Sequence, residues 1–409
     1  MTNYVVSRQD KSIFSLEELF RASGDGASDL NILLLADTDH PANCVREHIS
    51  SIVTSTRHNV VARSPIDPRR RIHRLLKPKP KILMQMPNGS EFDAVIIHYS
   101  LCILYKYFIP NYLRKALREF NGIKIQIIQD EYRNINSMMD NISDIGINGV
   151  LSSLAPHNIQ KVYRLAAMDG IILVSTLPGY LPEKQFSGDI PPIKQRKTHL
   201  VYRGRELPYW LGNAAREKTT LVKKLIPTLG GQNLQLNMSS KECDRIYGDG
   251  WLHFLRTGKA TLGLEGGSSI FDFEGTIENS VKDYLKCKPD ASYEEIHKKF
   301  LSQHEGNIVH RTITPRIFEG IRMKTAQVLF PGEYRGVLRP WDHYIPLERD
   351  FSNLNKVCGY LKDDVFLQRL VDNAFNDIVE SGKYNGSNLG RAIDALIDLL
   401  GVRFNGKLA

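Results

Sequence analysis

Short apolar runs, each closing on a polar or small residue, recur along the first 176 positions: NILLLAD (31–37), FDAVIIHYS (92–100), IKIQIIQD (123–130), GVLSS (149–153) and GIILVST (170–176). Near-continuous apolar runs of this length suit parallel strands covered on both faces. Between them lie VREHISSIVTS, IPNYLRKALREF and HNIQKVYRLAAM, whose apolar positions recur at helical spacing.

The alternation breaks at LPGYLPEKQFSGDIPPIKQRK (177–197), a polar, proline-rich passage with neither period, which reads as a linker. It then restarts with THLVYRGR, a helix through REKTTLVKKLIP, LQLNM, a helix around GDGWLHFLRT, and ATLGL. TAQVLFPG, HYIPL and helices from Leu354 onward follow, and NLGRAIDALIDLLG closes the chain. The pattern predicts an α/β protein of two facing Rossmann-like domains with a C-terminal helix packing back across the linker. The boundaries read as 1–180, a linker at 181–197, 198–380, and a helical segment at 381–406.

A chain of 409 residues has room for two such domains. No run of eighteen apolar residues occurs, and MTNYVVSRQDK lacks the apolar core of a secretory signal. Five scattered cysteines, odd in number and never in a CxxC pair, argue for reduced thiols and against a structural zinc site. Together these features predict a cytoplasmic protein. The net charge of +9 is unevenly placed: residues 57–81 hold nine Lys or Arg against one Asp. Such a block fits an anionic membrane surface, a nucleic acid or a solvated basic loop. No aromatic-interleaved or zinc-finger pattern accompanies it, so no nucleic-acid partner is expected.

Ligands of open α/β sheets bind outside the carboxyl ends of the strands. That rule selects His98 and Tyr99, Asp130, Glu131 and Tyr132, and Ser152, Ser153 and His157 in the first half. In the second it selects Arg203 and Arg205, Asn237, the turn Glu265, Gly266, Gly267, Ser268 and Ser269, and His343 with Tyr344. The arginines of YRGR suit a phosphate or carboxylate, or a salt bridge across the surface. In TPRIFEGIRM, Pro315 suits a first helical turn, which places Arg316 and Glu319 near helix-terminal amides. On spacing alone, a capping acid with an ordinary ion pair is the favoured account.

YRGRELPYWLG, DRIYGDGWLHFL, ATLGLEGGSSIFDFEG, TPRIFEGIRM and HYIPLERDFSNLNKV resemble, in that order, passages of bacterial glycosyltransferases of the GT-B type. The match covers about residues 198–380, whereas the first half matches by its alternation and by QDEYRN. The resemblance implies a nucleotide-sugar donor on the second domain, an acceptor on the first and no obligatory metal or cofactor. By position, Glu319 would contact the donor ribose, and Arg316 and the Gly266–Ser269 turn would lie near donor phosphates or sugar. Glu265 would bond sugar hydroxyls, and His98, Tyr132 and His157 would face the acceptor.

The implied activity is hexosyl or Kdo-type transfer to a glycan or lipid-linked acceptor, in bacterial surface polysaccharide or lipopolysaccharide synthesis, by an enzyme peripheral to the inner membrane face. The likeness to retaining transferases of Kdo, an acidic eight-carbon sugar, makes a CMP-linked donor a candidate beside UDP- and GDP-sugars. Attack by an acceptor hydroxyl needs a nearby carboxylate; the candidates are Glu131, Glu265 and Asp272. Glu131 has an alternative as the partner of Arg133 or Arg164, and Asp272 as the cap of a turn in FDFEG. Where relatives carry an aspartate in a D-I-S segment, this chain has Asn237-Met238-Ser239. Asn237 therefore marks either an impaired or non-catalytic binding protein, or a residue that merely bonds the turn through Ser239 or Ser240.

Overall fold

The computed structural model describes residues 12–23, 29–66, 91–164, 170–184 and 186–405. The first sheet has seven parallel strands: β1 (Ile13–Ser15), β2 (Asn31–Leu35), β3 (Asn59–Arg63), β4 (Ala94–Ile97), β5 (Ile123–Ile128), β6 (Gly149–Ser152) and β7 (Ile172–Ser175). Their order is β1-β7-β6-β5-β4-β2-β3. The second sheet has β8 (Thr198–Arg203), β9 (Leu236–Ser239), β10 (Gly258–Gly263), β13 (Ala326–Leu329) and β14 (Tyr344–Pro346). These are also parallel, in the order β14-β13-β10-β8-β9. A separate antiparallel pair joins β11 (Gly266–Ser268) to β12 (His310–Thr312).

Both sheets reverse their winding direction once, between β2 and β4 in the first and between β8 and β10 in the second. Helices on both faces explain why the central strands read as unbroken apolar runs. Along β4, Val95 and Ile97 face one core layer while Ala94 and Ile96 face the other. The C-terminal helix, Gly386–Asn405, belongs to the second of these layers through Leu389, Ile393, Leu396 and Leu400. It lies so close to β6 that a Cβ on Gly149 would come within 3.0 Å of Leu396. This helix thus packs on the first domain, not the second.

The two passages that connect the sheets also bond each other. Leu181 N donates to Tyr384 O at 2.8 Å, and Gly386 N donates to Leu181 O at 2.8 Å. These two bonds tie the outward and the return crossing into one joint.

The apolar runs read from the sequence all became strands, but β1, β3, β11 and β12 were not foreseen. β1 and β3 are edge strands of the first sheet, short or only half-buried, so neither carries a full apolar run. Most of the basic block at 57–81 lies outside the described residues. No helix among the described residues is long and apolar enough to cross a membrane.

Leu396 is fully buried. Leu396→Ala should lower the unfolding free energy by about 2–5 kcal/mol in urea denaturation. A loss below about 0.5 kcal/mol would show that the terminal helix does not support the first domain.

Candidate functional site

The loop after β5, QDEYRN, meets FDFEG of the second domain backbone to backbone. Asp272 N donates to Tyr132 O at 3.0 Å, Ile135 N to Asp272 O at 3.2 Å and Asn136 N to Phe273 O at 2.9 Å. Arg133 then reaches across to Glu278, with Nε and Nη2 on its two carboxylate oxygens at 2.9 and 2.6 Å. The same guanidinium lies 4.9 Å from the centre of the Trp210 ring. A bidentate pair fixes direction as well as distance, so this contact sets how the sheet ends face each other.

Beside it opens a cavity of about 310 Å³, lined among others by Asp130, Tyr132, Arg133, Arg205, Trp210, Lys218, Glu265, Gly266 and Gly267. Asp130 follows β5, Arg205 follows β8 and Glu265 follows β10. The cavity therefore sits at the switch point of the second sheet, where doubly wound sheets bind ligands, and its size is that of a small-ligand site.

Three cations and two acids converge there. Arg205 is exposed, and among the described residues no acid pairs with it. Lys218, on the second turn of helix Asn213–Thr228, is half-buried. Burial first, then the charges of Arg316 and Arg205, push its pKa down to about 8, while Asp130 opposes them. Asp130 accepts a 2.6 Å bond from the Tyr132 hydroxyl. Glu265 accepts from Tyr334 N at 2.8 Å, and burial raises its carboxyl above the ordinary value. Tyr334 and Arg335 hold positive φ of 45° and 57° in this loop. Such backbone is costly for residues other than glycine and persists only where the surroundings impose it.

The other residues selected from the sequence lie elsewhere or are already engaged. Asp272 is 2% exposed and caps helix Thr276–Cys287, its Oδ2 accepting from Glu278 N at 2.8 Å. Ser268 donates to the carbonyls of Leu211 and Ile270, and Ser269 Oγ accepts from Ala214 N. Neither hydroxyl lines the cavity. The glycines have a structural reason besides ligand approach: a Cβ on Gly267, at φ 125°, would fall 2.0 Å from His310 O of the paired strand.

Asn237 is exposed on the edge strand β9, and its Oδ1 accepts from Arg203 Nη2 at 2.8 Å. It does not line the cavity, and Arg203 is spent on it and on the Asp244 carbonyl. Arg316 bonds the Arg203 carbonyl and lies 4.8 Å from the Trp251 ring. His343 stands at the amino end of β14, not the carboxyl end, and its Nε2 is 3.1 Å from Asp377. Tyr344 is buried edge-on against Tyr334. His98 is fully buried, 3.0 Å from His48, and burial together with that neighbour holds its pKa well below the ordinary value. His157 is exposed on helix Pro156–Val162, away from the cavity.

Two acids are buried in polar clasps. Glu319 is 7% exposed and accepts from Trp251 Nε1 at 2.7 Å. Burial lifts its pKa to about 7, the Trp251 bond opposes this, and the Glu47 charge adds to it. Glu131 has no exposed surface and pairs with neither Arg133 nor Arg164. It accepts from the hydroxyls of Ser152 and Tyr163, each at 2.6 Å, and from Ser153 N and Oγ at 3.1 and 3.2 Å. Burial still raises its pKa to about 7 against those four bonds. Lys218 was missed because a lysine on a helix looks in sequence like any solvated one; its only signal is its position one turn past the helix start that follows YRGRELPYW.

Because Glu131 has a higher pKa folded than unfolded, the folded chain keeps that proton over the window between them. Stability therefore falls as pH rises from about 4.5 to about 7, by up to about 3 kcal/mol. Glu319 contributes a fall of the same sign over the same window, so Glu131→Gln should lessen the fall between melts at pH 5 and pH 8 without abolishing it and without altering ligand binding in the cavity. An equally steep fall in the variant would place the titrating group elsewhere.

No protein-family model and no curated protein sequence matches the chain. Among solved structures it is similar to T4 phage BGT in complex with its UDP-glucose substrate, at 12% identity and a TM-score of 0.51, over 90% of this chain and 100% of that one. A DNA modifying enzyme, β-glucosyltransferase, solved with and without uridine diphosphoglucose, matches at 11% identity and a TM-score of 0.50, over 90% and 100%. TarM matches at 13% identity and a TM-score of 0.40 over 74% of this chain, which spans about half (54%) of TarM. At such identities the likeness is one of fold: two facing Rossmann-like domains in the GT-B arrangement.

Proposed function

We propose that the chain is a glycosyltransferase that moves a sugar from a nucleotide-sugar donor to an acceptor hydroxyl in the interdomain cavity. The observation that carries this reading is the convergence of Arg205, Lys218 and Arg133 on a switch-point cavity that also holds Asp130. A donor diphosphate would draw its neutralisation from these side chains rather than from a metal, and they would stabilise the charge that develops on the leaving phosphate. Asp130 would accept the proton of the attacking hydroxyl. Glu265, already oriented by Tyr334 N, would bond sugar hydroxyls with its remaining lone pairs.

A UDP-hexose is the favoured donor, supported by the UDP-glucose complex of the similar T4 phage structure. GDP-sugars and a CMP-linked acidic sugar such as Kdo are the alternatives. The setting in bacterial surface polysaccharide or lipopolysaccharide synthesis rests on the sequence resemblance. Asn237, bonded to Arg203 away from the cavity, lends no support to a non-catalytic alternative.

The net charge of +9 favours a second reading, in which a polyanion carries or holds the acceptor. A similar solved enzyme is described as DNA modifying, and an anionic membrane is the other polyanion to weigh. Replacing Arg69, Arg70 and Arg71 with Ser and titrating duplex DNA and anionic liposomes separates these. A steep salt dependence confined to DNA and weakened in the variant supports the nucleic acid; the same loss on liposomes supports the membrane.

Calorimetry with UDP, GDP and CMP should show UDP binding tightest. Lys218→Met should weaken UDP by about tenfold or more, as expected for losing a hydrogen bond to a charged group. UDP affinity should also fall above about pH 8 in the parent, where Lys218 must take up a proton to meet the phosphates, and Lys218→Met should lose that dependence. Asp130→Asn should bind UDP normally yet lower turnover by about 10²–10⁴. Unchanged turnover in a folded Asp130→Asn protein would remove it as the base.

A further inference from the structure

Tyr132 stands at the seam between the domains and is held from both sides. Its carbonyl accepts from Asp272 N at 3.0 Å, and its ring meets the Phe271 ring edge-on, with centroids 6.3 Å apart. The ring packs against a core cluster of the first domain and against the one around Trp210, Ile277 and Tyr293 in the second. From that seat the hydroxyl turns back along its own loop and donates to Asp130 Oδ1 at 2.6 Å. Burial first, then the charge of Asp130, raise the Tyr132 pKa well above the ordinary phenol value. The hydroxyl therefore keeps its proton and serves Asp130 as a donor.

Asp130 has the opposite character. It is exposed just past the end of β5, and among the described residues Tyr132 is the one donor to its carboxylate. An exposed aspartate without such a bond is spread over several rotamers. With Oδ1 occupied the carboxylate is fixed, and Oδ2 is the oxygen left for a ligand in the cavity that Asp130 lines. A general base must bring one lone pair within hydrogen-bond reach of the hydroxyl. A bond that removes its rotational freedom therefore acts on the rate more than on binding.

Resting on the transferase reading above, in which Asp130 is the base, we infer that Tyr132 is a positioning residue that converts docking of the second domain into orientation of the Asp130 carboxylate. Phe271 and the Asp272 amide hold Tyr132, and Tyr132 holds Oδ1. The acceptor oxygen bonds the anomeric carbon, whose bond to the leaving phosphate breaks with its electron pair. The acceptor's proton passes to Asp130 Oδ2. The base is thus set when the two halves of the cavity are together and loses its orientation when they part.

The test is hydrolysis of UDP-glucose by the full chain, with water in the acceptor's place, and calorimetry with UDP on the same proteins. Tyr132→Phe keeps the ring and removes the donor. It should lower kcat about tenfold, as expected for losing one hydrogen bond to a charged group, with KM and UDP affinity held within about twofold. Joined to Asp130→Asn it should cost nothing further, since the base it orients is gone. Phe271→Leu, which loosens Tyr132 from the second-domain side, should slow the parent but not Tyr132→Phe. Unchanged kcat in Tyr132→Phe, or its full loss persisting beside Asp130→Asn, would overturn the inference. So would an equal loss from Phe271→Leu with and without the hydroxyl. Should Phe271→Leu fail to fold, the first two comparisons decide.

The carboxyl carbon resonance of Asp130, identified by its absence in Asp130→Asn, gives a readout without turnover. The charged groups that share the cavity with it, Arg133, Arg205, Lys218 and Glu265, all remain in Tyr132→Phe. A hydrogen bond donated to a carboxylate favours the charged form, so the titration midpoint should move up in Tyr132→Phe. An unmoved midpoint would count against the positioning role. A shifted midpoint in a protein that neither binds UDP nor hydrolyses UDP-glucose would sink the transferase reading and leave the Tyr132 contact standing. Ordinary hydrolysis that Tyr132→Phe does not change would do the reverse.

Discussion

The ion pair between Arg133 and Glu278 is the contact on which the geometry of the site depends. Glu278 is only 4% exposed and Arg133 27%, so the pair is largely withdrawn from water. Its bidentate form, its position over Trp210 and the three flanking backbone bonds together offset the cost of that desolvation. With the loop after β5 held against the start of helix Thr276–Cys287, Asp130 and Tyr132 of one domain face Arg205, Lys218 and Glu265 of the other. Each set by itself is an ordinary sheet end; the pair makes them one cavity. The same clasp engages Asp272, whose backbone bonds the first domain while its carboxylate caps the helix that carries Glu278.

Beside that cavity, charges of the second domain crowd a half-buried lysine. Burial first, then the charges of Arg316 and Arg205, lower the basicity of Lys218, with Asp130 as the opposing charge. Like charges brought together in this way are typical of sites whose ligand completes the electrostatics. The strained loop at Tyr334 and Arg335 belongs to the same pattern, since its Tyr334 N–H orients Glu265. The buried acids Glu131 and Glu319 are different in kind. Both are raised to about 7 by desolvation, yet each is bonded inside a packed contact and neither lines the cavity.

Side-chain bonding also separates the roles within the glycine- and serine-rich segment after β10. Gly266 and Gly267 line the cavity and at the same time allow β12 to pair closely. Ser268 and Ser269 stitch the segment to Leu211 and Ala214, near the helix that carries Lys218. One short run thus shapes the cavity wall and anchors the element that supplies its lysine.

The sequence by itself determined where the central strands lie and that they form two doubly wound sheets, because an apolar run flanked by polar residues is a local property that burial on both faces requires. Its strand-end rule also picked stretches that line one cavity: QDEY, YRGR and the segment from Glu265 are all at sheet ends. Which side chain of each stretch faces the cavity was decided only by the tertiary structure. Glu131 went into the core and Asp130 to the crevice, one position apart, in the turn after β5, where no strand alternation foretells the direction of a side chain. His343 came to lie at the amino end of β14, because a run such as HYIPL does not say at which of its ends the strand meets the crevice. Lys218 and the Arg133–Glu278 pair were invisible for a related reason. Their meaning comes from partners far away in the chain, and only folding brings those partners within hydrogen-bonding range.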